Sequence, residues 1–410
     1  MPTEPPRSSK KASDTFPQPS TEAIAHSNKV KEQIIAAIES AGGKISFADY
    51  MNLVLYAPGL GYYSAGLKKF GRLGDFITAP EISPLFSQCL AIQCHHIMQQ
   101  SGLNTLLEVG AGSGIMAIDI MQELERQDSL PEQYLILELS ANLRDRQQKA
   151  IEDKIPHLAS RFNWLDQLPA NPFNGIVIAN ELLDALPVHL LRLPGTQNFE
   201  RFVALDKKQQ FIWQDQSIEE PRLNVIANEI RDIHLSMQAL NDKPGRDYIT
   251  EVNLLAMDWI SSIADIMEQG AILLVDYGYT AREYYHPQRF MGTLMCHYQH
   301  HRHDNPFYLP GMQDITAHVN FSHIAHSAEA AGLTLSGFTT QAHFFMAGGL
   351  VELTRDLDPD DVVHFTETAR QIKMLTLPEE MGELFKVILL AKGKPLSLPA
   401  FQFQDFSQLL

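Results

Sequence analysis

The sequence predicts an α/β protein: a mostly parallel sheet with helices on both faces, preceded by a helical region and interrupted by a large insertion. From Thr105 onward, short apolar runs alternate with stretches of helical spacing, the pattern of strands joined by crossover helices. A glycine-rich turn closes the first of those runs, where an open α/β sheet binds its ligand. The runs at 175–179 and 271–275 lie much further apart than one crossover requires, so an insertion sits between the fourth and fifth strands.

The elements follow in chain order. Residues 1–20 hold five prolines and the Lys10-Lys11 pair, bury nothing, and read as a disordered tail; Glu4 and Asp14 interrupt the basic pattern of a transit peptide. Ile24, Val30, Ile34, Ile35 and Ile38 space a helix from Thr21 that ends at Gly42-Gly43, and a second helix spans 47–55. The aromatic and glycine-rich stretch from Ala57 through Asp75, Thr78, Pro80 and Glu81 has the composition of a pocket wall. Ile82, Leu85, Phe86, Leu90 and Ile97 resume helical spacing. Strands are expected at 105–109, 134–137, 161–164, 175–179 and 271–275. Within the insertion, 188–193, 199–205 and 209–213 read as antiparallel hairpins, followed by helical stretches at 223–240 and 251–267. The chain closes with a strand at 333–339, helices at 342–354 and 359–374, and a strand at 384–391. The resulting divisions are 1–20, 21–103, 104–187, 188–269, 270–395 and a C-terminal tail at 396–410.

Composition narrows the function classes. With 45% hydrophobic and 20% charged residues the chain has the material for a packed core, and its net charge of −17 repels nucleic acid and anionic lipid. No apolar run is long enough to span a bilayer. Cys89, Cys94 and Cys296 match no disulfide or zinc pattern and suit a reducing compartment, with the cytoplasm expected and the mitochondrial matrix as the alternative. The cluster of Cys296, His297, His300, His301 and His303 lacks zinc spacing, so no metal is expected.

The strongest local signal is Leu106-Leu107-Glu108-Val109-Gly110-Ala111-Gly112-Ser113-Gly114, followed by Ile115, Ile118 and Met121 at helical spacing. Glycines at a strand-to-helix turn let a ligand approach backbone N–H groups and a helix N-terminus. The third glycine comes one residue earlier than in the dinucleotide fingerprint, which points away from NAD and toward S-adenosylmethionine. Its carboxylate suits the loop N–H donors and its ammonium suits Glu108 or a loop carbonyl. Glu138, at the end of the second strand, fits the ribose hydroxyls, although a charge at the N-terminus of the Ser140 helix occupies the same position. Asp166, after the third strand, fits the adenine amino group or serves as a turn residue. The fourth strand delivers Asn180, Glu181 and Asp184 to the carboxyl edge, where carboxylates can orient a cationic nucleophile or cap a helix.

Together these stretches resemble the MidA-like S-adenosylmethionine-dependent methyltransferases, which include a mitochondrial protein-arginine methyltransferase acting in respiratory complex I assembly. The resemblance runs from about Ile34 to Lys392. It rests on Gly61-Tyr62-Tyr63, Gly74 through Ser83, the glycine loop, Asn180 through Pro187, Asp276-Tyr277-Gly278-Tyr279, Gly292-Thr293-Leu294 and Gly311 through Phe321. It implies a Rossmann-like seven-stranded methyltransferase sheet, S-adenosyl-L-methionine held at Gly110, Gly112, Gly114 and Glu138, and a cleft covered by the Asp75 segment and the insertion. It further implies a loop through Arg302, His303 and Asp304 near Asp314 and the site histidine His318, and a substrate side lined by Gln341 with Phe344 and Phe345. Glu181 and Asp184 beside the cofactor then suit an arginine on a protein acceptor. A methyltransferase with another acceptor and a cofactor-binding assembly factor are the competing readings, and a nicotinamide oxidoreductase is disfavoured by the glycine spacing. Oligomeric state is left open, with a homodimer compatible.

Overall fold

The structure, a computed structural model, describes residues 17–65, 78–170, 172–237 and 247–410. Most of the N-terminal tail and Asp75 lie outside the described residues. The central sheet contains β1 (Thr105–Val109), β2 (Gln133–Leu137), β3 (Phe162–Leu165), β4 (Phe173–Asn180), β5 (Met267–Tyr279), β6 (Thr334–Thr340) and β7 (Phe385–Lys392). Their spatial order is β3-β2-β1-β4-β5-β7-β6; β1 to β5 run parallel, and β7 is antiparallel to both neighbours. A further short strand, Val319–Asn320, pairs beside the end of β5. β1 lies between β2 and β4, so the chain leaves it in opposite directions and opens a crevice at the carboxyl ends.

Side-chain alternation along the strands builds two cores. On one face Leu106, Ile176, Ile178, Leu273 and Val275 pack against the helices Pro84–Ser101 and Ile115–Arg126. On the other, Leu107, Val177, Ala179, Ile272 and Leu274 pack against Leu254–Ile266 and Phe321–Ala330. Being covered on both faces is why these strands read as near-continuous apolar runs.

The insertion does not stand apart from the N-terminal region. Its strands His189–Arg192, Phe199–Leu205, Phe211–Ser217 and Ile249–Val252 form one antiparallel sheet with Lys44–Ser46, and Val203 and Leu190 share a core with Ile34, Phe47 and Val54. The helix expected at 251–267 begins later: Ile249–Val252 pairs with His189–Arg192, and Asn253 caps Leu254–Ile266 by accepting from Ala256 N–H at 2.8 Å. The histidine-rich run expected as a loop forms a small sheet of Met295–Tyr298, His301–His303 and Asp314–Thr316. Nor is 396–410 a tail, because Leu396, Leu398, Ala400 and Phe401 are buried in the main core. Gly349, in the left-handed region at φ 117°, divides the helix expected at 342–354 into Gln341–Ala347 and Leu350–Leu353.

Candidate active site

A cavity of about 1140 Å³ opens at the carboxyl ends of β1 to β5. It is larger than the roughly 300–1,000 Å³ typical of a single small-ligand site. Its wall brings together Glu108, Gly110, Gly112, Glu138, Asp166, Asn180, Glu181, Asp184 and His318, with Thr78, Pro80 and Glu81 across the opening.

The glycine loop is built as its composition requires. Gly110, Gly112 and Gly114 all have positive φ, at 75°, 54° and 82°, and Gly114 caps the helix Ile115–Arg126 without a side chain. A Cβ on Gly110 would stand 3.3 Å from Leu182 Cδ1. Gln147 fixes the loop, donating through Nε2 to Gly112 O at 3.0 Å and to Glu138 Oε2 at 3.2 Å. Glu138 also accepts from Ser140 N–H at 2.9 Å, which is the helix-N-terminal use of this buried carboxylate, and it lines the cavity. Asp166 is exposed on the rim.

Glu108 is buried. Its Oε2 accepts from Tyr134 Oη at 2.7 Å, while Oε1 has no hydrogen-bond partner. Burial pushes the carboxyl up to about 7. An orphaned, buried acceptor beside N–H-rich glycines suits an amine and carboxylate on one ligand. Glu81 touches the loop too, because Ser113 Oγ donates to its Oε1. Glu81, expected in the substrate cleft, thus lines the cavity in contact with the glycine loop.

Glu181, half-buried, and Asp184, buried, face the centre of the cavity, and buried Asp276 supports the turn that carries them. Glu181 has φ 48°, unusual for a non-glycine residue, and its N–H donates to Val275 O at 2.9 Å. Its Oε1 accepts from Ala79 N–H and Asn180 Nδ2, both at 3.3 Å. Burial, then the charge of Asp184, raises the Glu181 carboxyl to about 8. Asp184 accepts from Tyr277 Oη, and its Oδ1 is unpartnered. Asp276 holds the turn by accepting from Leu183 N–H at 2.9 Å and Asp184 N–H at 3.3 Å; burial and the nearby Asp184 and Glu181 raise its carboxyl well above the usual range. The capping role open to Asn180 and Asp184 is not taken up, since a turn rather than a helix follows β4.

His318 stacks on Tyr279, with ring centroids 5.2 Å apart and 5° between planes, and meets Tyr277 edge-on at 5.0 Å. Burial first, then the charges of Arg289, Lys386 and Arg302, lower it to about 4, so the ring is neutral near pH 7. Gln341 is not in the cleft. It is fully buried, donating from Nε2 to Leu375 O at 2.9 Å, and Phe344 and Phe345 are core residues. The helix after β6 turns these side chains inward beneath the sheet edge. Tyr277 and Arg289 line the cavity and Asp276 supports its turn; the sequence reading names Asp276 and Tyr277 only as part of a family motif, with no role in the site, and does not single out Arg289. The signal for Asp276 and Tyr277 was a polar Asp-Tyr pair ending an apolar strand, which runs on to Tyr279 instead of stopping at Val275.

The model of a family of S-adenosyl-L-methionine-dependent methyltransferases matches residues 89–339. The chain belongs to this MidA-like methyltransferase family. A protein arginine methyltransferase NDUFAF7 homolog, mitochondrial, of Drosophila melanogaster is 29% identical over 408 residues, covering 92% of this chain and 88% of that protein. The Danio rerio mitochondrial NDUFAF7 is 27% identical over 395 residues, covering 89% and 88%. A Burkholderia thailandensis protein crystallised with S-adenosyl-homocysteine is 40% identical with a TM-score of 0.90, covering 97% of this chain and 100% of that one. The cofactor of this methyltransferase is therefore S-adenosyl-L-methionine, and the orphaned Glu108 Oε1 and open glycine loop fit its amino-acid portion. Among the described residues no helix is long and apolar enough to cross a membrane.

Proposed function

We propose that this methyltransferase modifies an arginine side chain of a protein acceptor. The observation that carries the reading is the acidic pair at the end of β4, with half-buried Glu181 on a left-handed turn and buried Asp184 Oδ1 unpartnered, facing the same cavity as the glycine loop. Unpaired buried carboxylates are costly unless a cation joins them, and a planar guanidinium offers several N–H donors to two such groups. The relatives named as protein arginine methyltransferases support the same choice.

When bound, the cofactor supplies an electrophilic methyl group on a sulfonium. Glu108, the glycine loop and Glu138 hold that end of the cavity. Glu181 and Asp184 orient the guanidinium so that one nitrogen faces the methyl, and Asp184 Oδ1 takes the proton that nitrogen sheds. His318, neutral and stacked, serves as a wall of the acceptor side and takes no part in the proton transfer. The mitochondrial names of the relatives favour a mitochondrial matrix location over the cytoplasm where mitochondria exist, while the Burkholderia protein extends the fold to a bacterium. The test is mass spectrometry of proteins co-purifying with the chain. Methylarginine should be present with wild type and lost with Glu181→Gln, and its absence in both would reject an arginine acceptor.

A further inference from the structure

The cavity changes sign along its length. Carboxylates line it at the ends of β1 to β4, whereas, among the described residues, the wall beyond β5 carries Arg289 and Arg302 beside a single carboxylate, Asp314. The Arg289 guanidinium lies 4.0 Å over the Tyr279 ring, and its Nε donates to Glu283 O at 3.3 Å. Arg302, exposed on His301–His303, has its Nε 3.3 Å from Met295 Sδ. Neither guanidinium takes part in an ion pair with a carboxylate among the described residues. Lys386 of β7 stands 5.9 Å from the same Tyr279 ring, its Nζ turned to the backbone carbonyls of Glu383 and Leu384.

The chain has 49 acidic against 32 basic residues, so arginines without carboxylate partners in a carboxylate-rich cavity need an explanation. Most acids of this cavity sit at the ends of β1 to β4; Asp314 shares the small sheet with Arg302 but accepts from Tyr63 Oη at 2.9 Å, so the two guanidinia of the far wall keep no carboxylate partner among the described residues. Resting on the arginine-acceptor reading, we propose that Arg289 and Arg302 form a carboxylate-binding subsite, so that the preferred acceptor carries an acidic group within a few residues of the modified arginine. The group is a Glu or Asp side chain or the acceptor's terminal carboxylate. Guanidinium forks pair with carboxylates in two parallel hydrogen bonds, and a cavity partly screened from water strengthens them. An acceptor with a cation toward Glu181 and an anion toward Arg302 is aligned by both ends. A segment crowded with arginines meets repulsion at the second end, which gives selectivity by rejection.

The test crosses two substitutions in short acetylated peptides containing one arginine. Glu is placed at each of the four positions on either side, with Gln isosteres, citrulline replacing arginine, and free-acid as well as amidated termini. Binding to the full chain saturated with S-adenosyl-homocysteine is measured by calorimetry at low salt, for wild type, Arg302→Gln, Arg289→Gln and Arg302→Glu. Wild type should favour the best Glu peptide over its Gln isostere by about 10-fold or more, the order expected of a charge-assisted hydrogen bond. That ratio should fall to near one in Arg302→Gln, and Arg302→Glu should favour Lys at the same position. S-adenosyl-homocysteine affinity should stay within about two-fold, which reports an intact fold. A preference confined to the free-acid peptides identifies the terminal carboxylate as the group bound. Loss of discrimination between arginine and citrulline, with the Glu preference retained, rejects the arginine reading and keeps the subsite. No Glu preference in wild type, a preference that survives both arginine substitutions, or no peptide binding overturns the subsite.

Discussion

Replacing Glu181 by Gln keeps the shape and the Oε1 acceptor that meets Ala79 N–H and Asn180 Nδ2, but removes a titrating proton from a crowded acidic cluster. The carboxyl is raised from 4.5 to about 8, first by burial and then by Asp184. A raised carboxyl stabilises the fold at low pH, and that contribution drains away as pH climbs from the unfolded value through the folded one. At about 1.4 kcal/mol per pH unit, wild type should lose up to roughly 4 kcal/mol more stability than Glu181→Gln between pH 5 and 8. Urea unfolding at those two pH values measures the difference. The same proton is linked to acceptor binding. Near pH 7 Glu181 is mostly protonated in the empty site, so a guanidinium must displace that proton and acceptor affinity should rise as pH approaches 8. Calorimetry of an arginine peptide in two buffers of different ionisation enthalpy should therefore report close to one proton more released by wild type than by the variant. Turnover should fall by roughly 10² or more, the order for one lost charged transition-state contact, while cofactor affinity stays within a few-fold. Equal proton release by both proteins, with full activity in the variant, would refute the orienting role.

Glu138→Ala should act in the reverse order, weakening S-adenosyl-homocysteine binding before it slows turnover at saturating cofactor; calorimetry and steady-state kinetics separate the two. Gly112→Val should abolish cofactor binding, and because Gly112 has φ 54° it should also lower stability by about 1–3 kcal/mol, read by urea unfolding. Tyr277→Phe removes a hydrogen bond that holds the Asp184 carboxyl down against burial, so the acidic limb of the pH–rate profile should move to higher pH; an unchanged limb would show that Asp184 does not control it. Arginine-peptide binding should weaken as salt rises, because the carboxylate contacts are electrostatic.

The strands of the main sheet were legible because each is covered on both faces, so local hydrophobicity alone marked them; β1 falls where the sequence put it, at Thr105–Val109. The glycine loop was legible because positive φ at a strand-to-helix turn demands glycine whatever surrounds it. What escaped depends on partners distant in sequence. Ile249–Val252 is a strand only because His189–Arg192 lies beside it, and Gln341 is buried only because Leu375 O waits for its amide. The carboxylates expected at the end of the fourth strand line the centre of the cavity, but nothing local foretold its far wall, where Arg289 arrives from the segment after β5 and Arg302 from a small sheet. Sequence determined the residue types, the turn and the family, since these are local in chemistry and order. The protonation of Glu181, the neutrality of His318 and the sign change along the cleft were decided by tertiary structure, because burial and the distance between charges exist only once the chain has folded.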